Sequence, residues 1–306
     1  MSARHSLFLP LSLAVSLCSI GCDDSLKDVT LIEETRVLGA RVESDADPAQ
    51  ATPAPGEPAS LRLFVAATNG EPNFSYALSL CAVQETNLGF PPCENAPFAS
   101  AVQVDPGAVD ARVEFSVPDD VDLQHTPHAF ARGLVCPDSS LILGPDGSQS
   151  CAIGSGKEVA FEFPLGGAKE ANRNPGFVAD AFLLDGEPWP ASTETSCDSS
   201  ALPRVTAKSL HGLRVTLPES DFEFLEQANS IEPARETLLV SNFVTAGKLD
   251  HGFLALSADT PAEQRRVDWV APALTDGTPT LVRFYFVVRD ARSGEDFTSR
   301  ALCVVP

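Results

Sequence analysis

Short apolar runs with a spacing of two recur through most of this chain, and that period restricts its fold more than any other feature. In residues 74–81, Phe74, Tyr76, Leu78 and Leu80 share one side, with Ser75, Ala77, Ser79 and Cys81 opposite. Val113, Phe115 and Val117 repeat the alternation, as do Val159, Phe161 and Phe163, and then Val282, Phe284, Phe286 and Val288. An extended strand turns successive side chains to opposite faces of its sheet, so this is the pattern of half-buried strands. With 25 Pro and 20 Gly among 306 residues, the strands are short and joined by tight turns. Residues 45–58, DADPAQATPAPGEP, form a loop, because proline cannot donate to a central ladder.

Six such runs lie at 36–42, 61–67, 74–81, 111–117, 130–136 and 159–163. A Gly-bearing polar stretch at 165–174, LGGAKEANRN, then reads as a boundary. Eight more runs follow between 177 and 305. The expected fold class is all-β: two β-sandwich domains, over residues 36–165 and 175–306. Ser220-Asp221-Phe222-Glu223 has the spacing of a capping box and predicts one short helix through Ala228.

The first 22 residues carry an address. Arg4 and His5 precede an apolar stretch at 7–20, which is shorter than the roughly 20 residues a spanning helix needs and is followed by Asp23 and Asp24. This is the layout of a cleaved signal peptide over residues 1–21. Ser19-Ile20-Gly21-Cys22 resembles the lipobox of bacterial lipoproteins. The resemblance implies a diacylglycerol on the Cys22 sulfur, cleavage before that residue and acylation of the new amine. Acyl chains contribute about 0.8 kcal/mol per buried CH₂, so more than one chain holds a protein stably at a membrane. The expected location is the bacterial cell envelope, at the inner or outer membrane, with the soluble part in the periplasm or at the cell surface. Residues 22–35 are polar and acidic and read as a tether.

Eight cysteines then sort themselves. Cys18 leaves with the signal and Cys22 takes the lipid, so six remain in an oxidising compartment: Cys81, Cys93, Cys136, Cys151, Cys197 and Cys303. Six cysteines allow 15 pairings. Short Gly- and Pro-bearing loops favour Cys81–Cys93 and Cys136–Cys151, each closure worth about 3 kcal/mol in the chain-entropy model, with Cys197–Cys303 in the second half. The rival is Cys81–Cys136, across a sandwich. No CxxC spacing exists to suggest zinc.

Charge narrows the partners. Loss of the signal removes Arg4 alone from the charged set, leaving 20 Lys and Arg against 42 Asp and Glu, a net charge near −22. Such a chain repels phosphate backbones, which argues against nucleic acid.

Several pieces are similar to Ig-like lipoproteins found in myxobacteria and their relatives: the opening RVLGARV at 36–42, Pro55-Gly56 ahead of 61–65, VDWVAP at 267–272, and FVVRD at 286–290 before Gly294. The Trp269-x-Ala-Pro pattern is similar to bacterial Ig-like and PKD-like repeats, and the resemblance implies that this indole packs inside its sandwich.

Catalytic signals are thin. His125 and His128 flank Pro127, which opposes a helical ligand pair; His211 and His251 stand beside glycines and read as surface residues. Ser155, in Gly154-Ser155-Gly156, lacks the nucleophile-elbow pattern. For a metal, the best oxygen cluster is Asp290, Glu295 and Asp296 around Gly294, a calcium candidate weighed against simple pairing with Arg289, Arg292 or Arg300. The leading expectation is a non-enzymatic, membrane-anchored lipoprotein without a cofactor. It would present sandwiches to a protein or glycan ligand for adhesion, scaffolding or surface recognition. The alternatives are a carbohydrate-active or peptide-hydrolysing envelope enzyme and a calcium-dependent binding module.

Overall fold

A computed structural model describes residues 28–83, 93, 96–123, 126–166, 172–225 and 234–306. Its first half holds β1 (Arg36–Ser44), β2 (Pro58–Ala66), β3 (Phe74–Val83), β4 (Ala99–Ala108), β5 (Ala111–Ser116), β6 (His128–Pro137), the short pair β7 (Leu141–Leu143) and β8 (Gln149–Cys151), and β9 (Lys157–Pro164). Its second half holds β10 (Phe182–Leu184), β11 (Glu187–Pro188), β12 (Arg204–Thr206), β13 (Leu210–Val215), the pair β14 (Phe224–Leu225) and β15 (Ala234–Arg235), and β16 (Leu238–Val244). It continues through β17 (Lys248–Leu249), β18 (Phe253–Leu256), β19 (Arg266–Val270), β20 (Thr280–Arg289) and β21 (Glu295–Val305).

Each half is a sandwich with its own core. In the first, the sheet β1-β2-β5 packs on β4-β3-β6-β9, and Phe74, Leu78, Leu80, Phe115 and Phe163 fill the space between. In the second, β11-β10-β13-β19-β17 packs on β12-β21-β20-β16-β18, around Trp189, Trp269, Phe182, Phe284 and Phe286. Without the short edge pieces the two orders match: β10, β13 and β19 stand where β1, β2 and β5 do, and β21-β20-β16-β18 repeats β9-β6-β3-β4. The fold is therefore all-β, with two Ig-like sandwiches. In both, the fourth main strand lies beside the third instead of joining the first sheet as in antibody constant domains. Trp269 sits on β19 and is fully buried.

β20 explains how the halves are joined. Val282, Phe284, Phe286 and Val288 point into the second core, while Tyr285 and Val287 belong to a separate cluster with Ile32, Leu38 and Ala66. Both faces of the strand are buried, one by its own sandwich and one by the first module, which is why its sequence is apolar without a break from Phe284 to Val288. Tyr285 donates its hydroxyl to Ala67 O at 2.6 Å, and Phe64 stacks on Phe297 with centroids 4.4 Å apart.

A bulge in β1 at Leu38 shapes the polar half of this junction. Leu38 O accepts from Arg289, Ala40 N–H donates to Glu295 Oε2 at 3.0 Å, and Arg289 Nε pairs with Glu295 Oε1 at 2.5 Å. Gly39 is required here, because a Cβ would lie 2.3 Å from Glu295 Oε2.

Three sequence expectations change. Residues 28–35 are no free tether: Thr30 and Ile32 are buried, with Ile32 N–H donating to Val244 O and Val244 N–H to Thr30 O. Asn172 and Asn174, expected in a boundary loop, are also buried; Asn174 donates to Val42 O at 2.7 Å and accepts from Glu295 N–H at 3.0 Å. The helix expected from Ser220 is a single 3₁₀ turn, Glu219–Asp221, followed by β14. Asp221 accepts instead from Gly176 N–H and Glu223 pairs with Arg292, so tertiary partners take the groups a capping box would use; residues 226–228 lie outside those described. The strands β4, β7 and β8 had no sequence signal, since the outward side chains of β4, Val102 and Val104, are exposed.

Glu295 is the buried anchor, and removing one member of a buried ion pair costs about 3–5 kcal/mol because the other charge stays desolvated. Arg289→Met is therefore expected to lower unfolding stability by that amount in a denaturant titration. The double variant Arg289→Met with Glu295→Leu should recover most of the loss. A double variant no better than the single one would show that the pair does not organise the junction.

Candidate functional site

All three disulfides lie outside the cores, on the outward faces of the corresponding sheets. Cys81–Cys93 leaves β3, Cys136–Cys151 ties β6 to β8, and Cys197–Cys303 straps the segment before β12 onto β21. The first two are the pairs favoured by short loops, and the third is the pair expected in the second half. The rival Cys81–Cys136 would join two residues on the same outward face of neighbouring strands, six positions out of register: Cys136 lies opposite Ser75 and Cys81 opposite Phe130.

On the second module that outward face is occupied. The first module covers Tyr285 and Val287, while the strapped segment accepts hydrogen bonds from Arg283 at Ser192 O and Glu194 O. On the first module the same face is open. There a groove of about 660 Å³ runs over β3, β6 and β9, bounded by the turn between β7 and β8. Its volume falls within the range of small-ligand sites, roughly 300–1,000 Å³. Register across the three strands sets Ser79, Arg132 and Ala160 in one row, and Ala77, Leu134 and Glu158 in the next. Small neighbours on both sides leave the Arg132 side chain exposed in the middle of the sheet. Among the described residues neither Arg132 nor Glu158 makes an ion pair, so one donor fork and one carboxylate stand ready over apolar Leu134. Gln149 supplies a further amide from β8, which Cys136–Cys151 holds in place. An arrangement of guanidinium, carboxylate, amide and hydroxyl on a rigid, shallow face suits a polar ligand presented edge-on. It offers no nucleophile.

The calcium candidate is not a cluster. Asp290 caps its own turn, accepting from Arg292 N–H and Gly294 N–H, and takes Asn172 Nδ2 at 2.9 Å. Glu295 is committed to Arg289 and Ala40, whereas Asp296 accepts from Phe177 N–H at 2.8 Å and pairs with Arg41 at 3.1 Å. Alternation along β21 sends Glu295 and Asp296 to opposite faces. Among the described residues no three His, Cys, Asp or Glu side chains gather as metal ligands. These carboxylates hold the modules together instead, which sequence spacing could not show because Asn172, Ala40 and Phe177, the partners that fix them, lie more than 100 residues away.

Of the histidines, His128 faces Glu162 at 3.3 Å and His251 is near Asp250. His211 is not a simple surface residue: it bridges Asp185 and Ser209. Ser155 is exposed, and His125, like Cys22, lies outside the described residues. No helix among the described residues is long and apolar enough to cross a membrane.

Fold and site together define a two-module, disulfide-strapped Ig-like protein with one open sheet face. No protein family matches the chain, and a search of curated proteins finds no relative. Among solved structures, the D00-D0 domain of intimin is similar at 9% identity over 87% of this chain and 100% of that one, with a TM-score of 0.22. Salmonella alpha-2-macroglobulin reacted with methylamine is similar at 9% identity over 90% of this chain and 15% of that one, TM-score 0.23. A marsupial T cell receptor is similar at 11% identity over 89% and 98%, TM-score 0.20. At such TM-scores these likenesses carry no argument, and the fold class rests on the strand order itself.

The junction also sets a pH dependence. Burial pushes the carboxyl groups of Asp221, Glu236, Asp290, Glu295 and Asp296 above their usual range, outweighing their hydrogen bonds and cationic neighbours. A carboxyl raised on folding stabilises fully below its unfolded pKa, about 4, and loses that contribution as pH rises through the folded value. Asp28 and Asp185 are shifted down, so they act oppositely, and only at more acidic pH. The melting temperature is expected to rise as pH falls from about 7.5 to about 5, a window just above those reference values. A flat or falling profile by calorimetry would contradict this.

Proposed function

We propose that this chain is a lipid-anchored protein of the bacterial envelope, non-enzymatic in its main role, which uses the open sheet face of its first module to recognise a protein or glycan. The observation that carries the reading is the unequal use of one face. The second module uses its outward sheet face to seat the first, and the first keeps the corresponding face, with Arg132, Leu134, Gln149 and Glu158, free. Three disulfides support passage through an oxidising compartment, and the lipobox resemblance at Cys22 supports the anchor. A rigid junction suits this role, because a binding face held on a stiff two-module body keeps its orientation to the surface below.

Two experiments test the halves of the proposal. Metabolic labelling with a palmitate analogue should mark the wild-type protein and spare Cys22→Ala; label persisting in the variant removes the anchor. Binding to glycan and envelope-protein arrays should fall at least tenfold in Arg132→Glu and in Glu158→Lys, with melting temperature unchanged, since both side chains are exposed. Array binding indifferent to both substitutions would remove the groove from the reading.

A further inference from the structure

Three side chains on the second module, on the sheet facing away from the junction strand β20, line up in a short polar chain. Ser209 ends the turn between β12 and β13, His211 lies on β13, and Asp185 opens the turn from β10 to β11. Ser209 Oγ is 2.6 Å from His211 Nε2, and His211 Nδ1 is 2.6 Å from Asp185 Oδ2. Asp185 Oδ1 accepts from Gly212 N–H at 2.8 Å, which fixes the plane of the carboxylate. Two residues in the left-handed region hold the geometry, Asp185 at φ 52° and Lys208 at φ 63°. Non-glycine residues seldom adopt that conformation, and where they do the surrounding structure must enforce it. Burial pushes the Asp185 carboxyl up, but the bonds from His211 and Gly212 outweigh it and hold the group below the usual range, ionised. Trp269, opposite His211 in the β13–β19 register, lies with its ring 5.9 Å from the imidazole and floors the cluster.

We propose that Ser209 is an activated nucleophile, with His211 as its general base and Asp185 as the positioning residue. It would take an acyl or phosphonyl group from a reagent that already carries a good leaving group. The distances are those of a base in contact with its nucleophile and oriented by a third group. The hydroxyl has one hydrogen and two acceptors in reach, His211 Nε2 and Thr206 O. With the imidazole neutral and its Nδ1–H on Asp185, Nε2 is free to take the hydroxyl proton. With the imidazolium, Nε2–H donates to Oγ and the hydroxyl turns to Thr206 O. The neutral imidazole is therefore the form that can act as the base.

In the step itself an Oγ lone pair forms the bond to carbon or phosphorus and the hydroxyl proton passes to Nε2. The leaving group departs with its bonding electrons. Ser209 N–H is bonded to Thr206 O at 3.3 Å and is not aimed at a developing oxyanion. Without that stabilisation, amides are excluded and activated esters and fluorophosphonates are the class expected to react. Asp185 is the charged group in contact with the imidazole; the neighbouring elements also carry Lys208 on the turn, the Arg266–Asp268 pair on β19 and Lys248 on β17.

The test is labelling of the purified protein with a fluorophosphonate probe, read by intact mass and peptide mapping. One adduct at Ser209 is expected. Ser209→Ala should abolish it, and His211→Gln should slow it at least about 100-fold, the lower end of what a general base contributes. Asp185→Asn should slow labelling with the melting temperature unchanged, since an amide no longer holds Nδ1–H as a carboxylate does, and Asp185→Glu should restore part of the rate; a merely structural role would not give that rescue. Labelling that persists in Ser209→Ala, or a rate unchanged in Asp185→Asn, overturns the proposal, and so does the absence of an adduct in folded wild-type protein. Recognition through the groove on the first module is untouched by either result.

Discussion

The two-sided burial of β20 is the constraint on which the rest of this molecule depends. A central strand of a solvated sandwich normally buries alternate residues, yet here Tyr285 and Val287 are as buried as Phe284 and Phe286. The first module must therefore sit on the outer face of the second, and it can do so only because β1 bulges at Leu38 and carries Gly39 where a side chain would strike Glu295. The N-terminal segment reinforces the arrangement by pairing Thr30 and Ile32 with Val244 before the first module begins. Chain that precedes the first module is thus already built into the second.

The polar groups at this junction show how a buried charge is tolerated. Glu295 has a guanidinium on one oxygen and a backbone N–H on the other, and Asn174 receives its main-chain N–H. Nothing in the pair is left without a partner, so geometry offsets part of the desolvation cost, and the result is a fixed relation between modules. The same burial that raises these carboxyl groups also removes them from any role as cation ligands. An acidic chain offers many close carboxylates in sequence; in the fold each is spent on a different neighbour.

Disulfides in this protein serve faces more than cores. With two sandwiches already filled by aromatic and aliphatic side chains, the bridges strap peripheral segments to exposed sheets: β8 beside the open groove and the segment around Cys197 over the closed one. One strap frames a surface and the other covers it. That division, repeated on one topology, is what separates a module that holds its neighbour from a module that faces outward.

Local chemistry alone determined a good deal. The period of two marked six strands of the first module and nearly all the main strands of the second, because half-burial imposes alternation regardless of what lies beyond the sheet. Short loops named Cys81–Cys93 and Cys136–Cys151, because short closures need no knowledge of the fold, and Cys197–Cys303 was the pair that remained. What the sequence could not decide was anything set by residues far apart. The uninterrupted run Phe284–Val288 was a signal of double burial, yet its apolar alternate residues also satisfied the simpler one-face pattern. Asp290, Glu295 and Asp296 are adjacent in sequence, but Asn172, Ala40 and Phe177 decide where their oxygens point. Ser209 and His211 are two apart where a turn enters β13, and only the turn that brings Asp185 beside them, 26 residues upstream of the histidine, makes them a chain. Tertiary structure decided these matters because hydrogen-bond direction and desolvation depend on neighbours that no local window contains.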